Sequence, residues 1–234
     1  MSAIWALPPH FDPDAPAAED GGLFGLPHGV DGAAVVVIPV PFEATASFHK
    51  GTARAPEAVA AASMQVDLFD LETGSPWRAG IAMAPVDERI PGWNAQADAA
   101  VQRALARDPH GADPNDPDRA EVNAISEAVN ESVRAQTALL LRAGRIPAVL
   151  GGDHSAPFGA IAEAASWFPG MGVLHVDAHA DLRVGYQGFR WSHASILYNV
   201  LTEIPSIAHI VQVGLRDMGS REWALIQADP RLSA

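Results

Sequence analysis

Residues 146–181 read IPAVLGGDHSAPFGAIAEAASWFPGMGVLHVDAHAD, and the fold turns on the alternation within them. Ile146 to Leu150 is a short apolar run ended by paired glycines, and Met171 to Val176 is a second such run. The segment between them is long enough for a helix. Short apolar runs bounded by turn signals and separated by helix-length segments read as βαβ units, whose right-handed crossovers build a parallel sheet covered on both faces. The class is α/β.

The same alternation extends in both directions. Upstream, Ala33 to Val40 is a continuous β-branched run, the mark of a strand buried on both faces. Pro56 to Ser63 reads as a helix with proline in its first turn, Gly80 to Val86 as a strand and Ala95 to Arg107 as a second helix. Asp108 to Asp118, rich in Pro, Gly and Asp, reads as a surface loop. Val122, Ile125, Val129, Val133 and Leu140 then recur at helical spacing until Gly144 stops them. Downstream come an apolar helix, Ile196 to Leu201, and a strand, Ile207 to Val213. Residues 1–32 mix Pro, Gly and Asp without period and read as an irregular N-terminal arm, suited to contact with a neighbouring subunit. Residues 33–234 read as a single α/β domain.

Composition narrows the function. With 234 residues, 48% hydrophobic and only 18% charged, the chain can bury a sizeable core. It has no cysteine, which removes disulfides, thiolate zinc sites and a Cys nucleophile together, so any metal is held by oxygen and imidazole. Fifteen Lys and Arg against 28 acids, a net charge of −13, exclude the basic patches that nucleic acid needs. No apolar run approaches the roughly 18 residues that span a bilayer. Met1 to Asp14 lacks the basic and then apolar order of a secretory signal. A cytoplasmic protein without membrane partners is expected.

In open parallel sheets, ligands gather beyond the carboxyl ends of the strands. Two polar clusters lie there: Gly151-Gly-Asp-His-Ser155, where the glycines permit a tight turn and close backbone approach, and Asp177-Ala-His-Ala-Asp181. Alternation along an extended chain points Asp177, His179 and Asp181 to one side. Carboxylates and imidazole without sulfur suit Mn²⁺ and related ions, one carboxylate can bridge two of them, and His154 offers a further nitrogen. Plainer readings compete: Asp153 as the cap of a helix starting near Ser155, and His175 and His209 as core residues of their strands. Ser192 fits a helix cap. His193 beside it suits a proton shuttle near neutral pH, or ordinary packing at that cap.

The two clusters, in this order and spacing, resemble the signature of the ureohydrolases: arginase, agmatinase, formimidoylglutamase and guanidinobutyrase. Pro56 to Ser63 is similar to the family's early helix ending in Ala-Ser, and Val213-Gly-Leu-Arg216 to a later strand end. The resemblance implies an arginase-like three-layer α-β-α fold and a pair of Mn²⁺ ions. His154, Asp177 and Asp181 would hold one ion, while Asp177, as the bridge, and His179 would serve the other. His193 stands where the family places its active-site histidine. The implied reaction is hydrolysis of a C–N bond in a linear amidine, a small cationic guanidino compound, giving urea and an amine. The stretch Phe189 to Val200 is closer to agmatinase-like members, which points to agmatine and polyamine metabolism. Homo-oligomers, trimers or hexamers, are common in the family.

Some positions depart from that pattern. Ala194 replaces the glycine that usually follows the active-site histidine, Ala55 a common Gly and Ala60 a common Arg. After Asp181 the chain has only Asp217 and Asp229, without the family's later Asp-x-Asp pair of metal ligands, so the resemblance implies that the C-terminal part of the fold is missing, in a fragment of a longer enzyme or in a shortened relative. Two alternatives follow: a truncated, non-catalytic paralogue that binds one metal poorly, and a single-zinc deacetylase-like amidohydrolase, whose site Asp177-Ala-His179 also resembles.

Overall fold

A computed structural model of the protein describes residues 11–18 and 20–234; the opening of the N-terminal arm lies outside them. Six strands and six α-helices follow in chain order: β1 Val35–Val40, α1 Ala55–Ser63, β2 Ile81–Met83, α2 Arg89–Arg107, α3 Pro117–Arg142, β3 Ile146–Gly151, α4 Phe158–Trp167, β4 Gly172–Val176, α5 Ile196–Glu203, β5 His209–Val213, α6 Ser220–Ala228 and β6 Leu232–Ser233. All strand pairings are parallel, as the βαβ pattern requires. The strands form two three-stranded groups, ordered β2-β1-β3 and β4-β5-β6. β1 is central in the first, in register with β3 over its full length from Val35 opposite Ile146 to Val40 opposite Gly151.

Two apolar cores match the two groups. Val36, Ile38 and Val40 of β1 are fully buried with Ile90 and Val101 of α2 and Val122, Val129 and Val133 of α3. Each such side chain contributes roughly 1.5–3 kcal/mol when removed from water. The second core joins Ile196, Leu197, Val200 and Leu201 of α5 to Ile210, Ile226 and Leu232. Helices α3 and α4 bridge the two: Gly159 of α4 lies so close to α3 that a Cβ there would stand 2.0 Å from the Asn130 carbonyl oxygen, and Arg134 pairs with Glu163 at 3.0 Å.

The long helices start earlier than the apolar period indicates. α2 begins at Arg89, with Pro91 in its first turn, where no intrahelical N–H bond is lost. α3 begins at Pro117, because Asp116 accepts from the Asp118 and Arg119 N–H groups as an N-cap. The acidic stretch before it is tied down: the Asp108 carboxylate accepts four successive backbone N–H groups from His110 to Asp113, and Asp116 and Asp118 pair with Arg107. The described part of the arm folds back on its own chain, the Phe24 N–H donating to Ser63 Oγ at 2.9 Å and Phe11 meeting the Trp77 ring. No helix of the described residues is long and apolar enough to cross a membrane.

A candidate metal centre at the strand ends

The site is assembled where β1, β3 and β4 end. After β3 the chain turns at Gly152, where a Cβ would lie 1.7 Å from the Phe42 carbonyl oxygen, so only glycine permits that approach. The Asp153 N–H donates to this carbonyl at 2.9 Å, joining the turn to the loop after β1. Asp153 does not cap α4, whose N-cap is Pro157. One of its oxygens accepts from the Ser155 N–H, and the other from the Thr45 N–H and hydroxyl, at 3.3 and 2.9 Å.

That turn aims His154 at the residues beyond β4. His154 Nδ1 stands 2.6 Å from Asp181 Oδ2 and 3.8 Å from Asp177 Oδ2. Its ring stacks on His175 at 5.3 Å. One donor atom from each of His154, His175, Asp177 and Asp181 falls within 4.8 Å of the others. Burial alone would depress the His154 pKa; the hydrogen bond to Asp181 and the charges of Asp181, Asp177 and Asp153 outweigh it and raise the value. Burial would raise the Asp177 carboxyl, yet the His179 N–H at 2.9 Å and the neighbouring histidines hold it below its ordinary range. This mixture of imidazole and carboxylate, without sulfur, fits a divalent metal ion.

Of the residues singled out in the sequence, His154, Asp177 and Asp181 meet directly. His179 does not join them: its side chain is 60% exposed, 3.4 Å from Asp177 Oδ1 on one side and 3.7 Å from Asp217 Oδ2 on the other. The alternation rule stops short of Asp181, because the chain leaves the extended conformation and Asp181 has φ of 51°. An aspartate tolerates this left-handed turn, and its carbonyl accepts from the Leu197 and Tyr198 N–H groups at the start of α5, which pins the ligand. Glu222 of α6 holds the next step, accepting from the Leu182 N–H at 3.0 Å.

His193 lies apart from the cluster but on the same cavity of about 640 Å³, with His154, Asp177 and Tyr186. Ser192 caps its turn as read from the sequence. The His193 N–H donates to Thr45 Oγ1 at 3.1 Å, and its ring nitrogens lie 3.4 Å from Thr45 Oγ1 and Ser47 Oγ. Thr45 therefore links Asp153 to His193, a role the sequence reading missed. Its signal was positional, since the loop after β1 also leaves the carboxyl end of a strand. Glu43 fixes that loop by accepting from the Gly51 N–H, the Thr52 hydroxyl and the Ala53 N–H; burial opposes ionisation, but these bonds keep the carboxyl below its usual pKa. His175, read as a core residue, is buried and belongs to the metal-facing cluster as well. His209 stays out of the cluster but is half-buried rather than core, with a ring nitrogen 2.9 Å from Ser233 Oγ.

Known proteins share this arrangement of sequence and fold. N(1)-aminopropylagmatine ureohydrolase of Thermus thermophilus is 35% identical over 188 residues, which cover 80% of this chain and 52% of that protein. The chain thus spans about half the length of such relatives. Agmatine ureohydrolase of Thermoplasma volcanium superposes with a TM-score of 0.60 at 23% identity, over 87% of this chain and 56% of its own. Arginase of Medicago truncatula gives 0.60 at 24% identity, over 83% and 54%. Both place the architecture in the arginase-like α/β fold. The arginase family model matches residues 33–230, and the chain belongs to the arginase family.

Proposed function

We propose that this chain carries a ureohydrolase site that hydrolyses the guanidino group of an agmatine-like cationic amine to urea and the free amine, using a pair of Mn²⁺ ions. The observation that carries the reading is the convergence of His154, Asp177 and Asp181 from two separate strand ends. Nitrogen and oxygen donors favour Mn²⁺ over metals that prefer thiolate. The name of the Thermus relative extends the substrate candidates to aminopropyl-substituted agmatine.

When bound, the ions lower the pKa of water and polarise the substrate. Around them, this chain's residues divide the remaining work. His154, Asp177 and Asp181 hold one ion, and Asp177 with His179 serves the other. Asp217, on the cavity wall and 80% exposed, offers a carboxylate to a guanidinium. His193, held by Thr45, passes a proton to the departing amine nitrogen as the C–N bond breaks. A second reading, a one-ion site without turnover, draws on His179 being exposed and outside the converging group.

The test loads the purified chain with Mn²⁺, removes the excess, counts ions per chain and then assays urea release from agmatine, N(1)-aminopropylagmatine and arginine. Nearly two ions and urea from an agmatine are expected, with Asp181→Ala and His179→Ala both losing activity. Urea release retained in both variants would sink the assignment. One weakly held ion with no urea favours the second reading.

A further inference from the structure

His175, a buried member of the metal-facing cluster, and its neighbour Gln212 are left without a task by the proposed reaction. His175 on β4 and Gln212 on β5 are register partners, 6% and 2% exposed. The Gln212 side-chain nitrogen is 2.8 Å from the Ala180 carbonyl oxygen and 3.0 Å from His175 Nδ1. A carbonyl only accepts, so the group facing Ala180 is the amide NH₂; the flipped amide would set two oxygens against each other. The second N–H of that group points at His175 Nδ1, which must accept it. A neutral imidazole that accepts at Nδ1 carries its proton on Nε2.

His175 Nε2 is buried without a hydrogen-bond partner and stands 3.7 Å from Asp177 Oδ2. Buried donors are seldom left alone. A shift of the Asp177 carboxylate by roughly 1 Å brings this pair into the ordinary hydrogen-bond range. We propose that Gln212 and His175 are positioning residues: Gln212 locks His175 as the Nε2–H tautomer, and that N–H orients the Asp177 carboxylate for metal. The proposal rests on Asp177 being a metal ligand. It also separates His175 from the ligands it stands among, since a ligating nitrogen must be unprotonated and both ring nitrogens are committed. The ring serves His154 too, by stacking against it at an interplanar angle of 26°.

Two readouts test this without reference to turnover. Long-range ¹H–¹⁵N correlations of the imidazole nitrogens in the metal-free wild-type chain give the tautomer, and a protonated Nδ1 on His175 overturns the proposal outright. Mn²⁺ affinity, from the EPR signal of the free ion, is then compared among variants. His175→Phe keeps the ring and loses the donor, Gln212→Met removes the lock, and His175→Gln retains an N–H donor near Nε2. Losses of about 10–100-fold are expected for the first two, as for other outer-shell partners of metal ligands, with His175→Gln close to wild type. Equal affinity in wild type and His175→Phe overturns this role and leaves the metal reading standing. A wild-type chain that retains no Mn²⁺ overturns the metal reading and this role with it, while the ¹⁵N spectrum still reports the tautomer.

Discussion

Thr45 shows how much of the site depends on a residue that touches no metal ligand. Its hydroxyl donates to Asp153 Oδ2 and accepts from the His193 N–H, and the residue is buried. Thr45→Val keeps the shape and deletes both bonds, leaving the half-buried His193 N–H unpaired and Asp153 short of a donor, so a loss of about 1–3 kcal/mol is expected. Chemical denaturation of the two proteins checks it, and coincident midpoints would assign the hydroxyl no weight. Such links are invisible to a reading of motifs. His154, Asp177 and Asp181 were legible because they follow strand ends, where the topology decides what converges. The period-2 argument fails at Asp181, which turns left-handed, and His179 stands exposed at the rim. His175 was read as core and is buried; its second nature depends on the β4–β5 register that sets Gln212 beside it, and no single strand carries that information.

At the level of elements, β1, β3, β4 and β5 fall within a residue or two of their apolar runs, since a short run between breakers leaves little freedom in register. The helix starts were harder. Proline breaks a helical pattern anywhere but the first turn, and Pro91 and Pro117 both occupy first turns. The two-residue β6 has no period to read. Asp87 shows what holds the α2 start: it accepts from the Arg89 N–H at 3.0 Å and from Ser132 Oγ of α3 at 2.6 Å. Bonds from the Arg89 side chain first, then from Ser132 and the Arg89 backbone, together with the Arg89 charge, outweigh burial and hold the carboxyl far below its usual range. Arg89 is largely exposed, so the ion pair itself adds little. Asp87→Ala is expected to lose about 1–2 kcal/mol at pH 7 through the other bonds. Because the folded pKa is depressed, this contribution is complete above the unfolded carboxyl value of about 4 and fades as pH falls below it. Urea midpoints at pH 7 and pH 3 decide the matter: the gap between wild type and variant should narrow at pH 3, and a constant gap would assign the effect to packing.

Over the whole molecule, two opposed features bear on whether copies of the chain associate. The net charge of −13 keeps them apart. Against it, one face of the β4-β5-β6 group is bare: Leu174 and Val176 are 70% and 73% exposed, and Val211 and Val213 stand beside them, while His175, Ile210 and Gln212 on the other face are buried. Among the described residues β3 and β4 also end their groups with an unpaired edge. Exposed apolar strands with free edges are surfaces on which other chains pair. Salt decides between the two features, because the Debye length shrinks from about 10 Å at 0.1 M to about 3 Å at 1 M, while apolar burial is not weakened. The chain is therefore expected to self-associate reversibly, and more strongly as NaCl rises, in sedimentation velocity runs across a range of protein concentrations. Leu174→Lys with Val211→Lys should return it to a monomer, since both residues lie on the face away from the buried core. A wild-type chain that stays monomeric at high salt and binds no apolar dye would mean that this face is covered in solution.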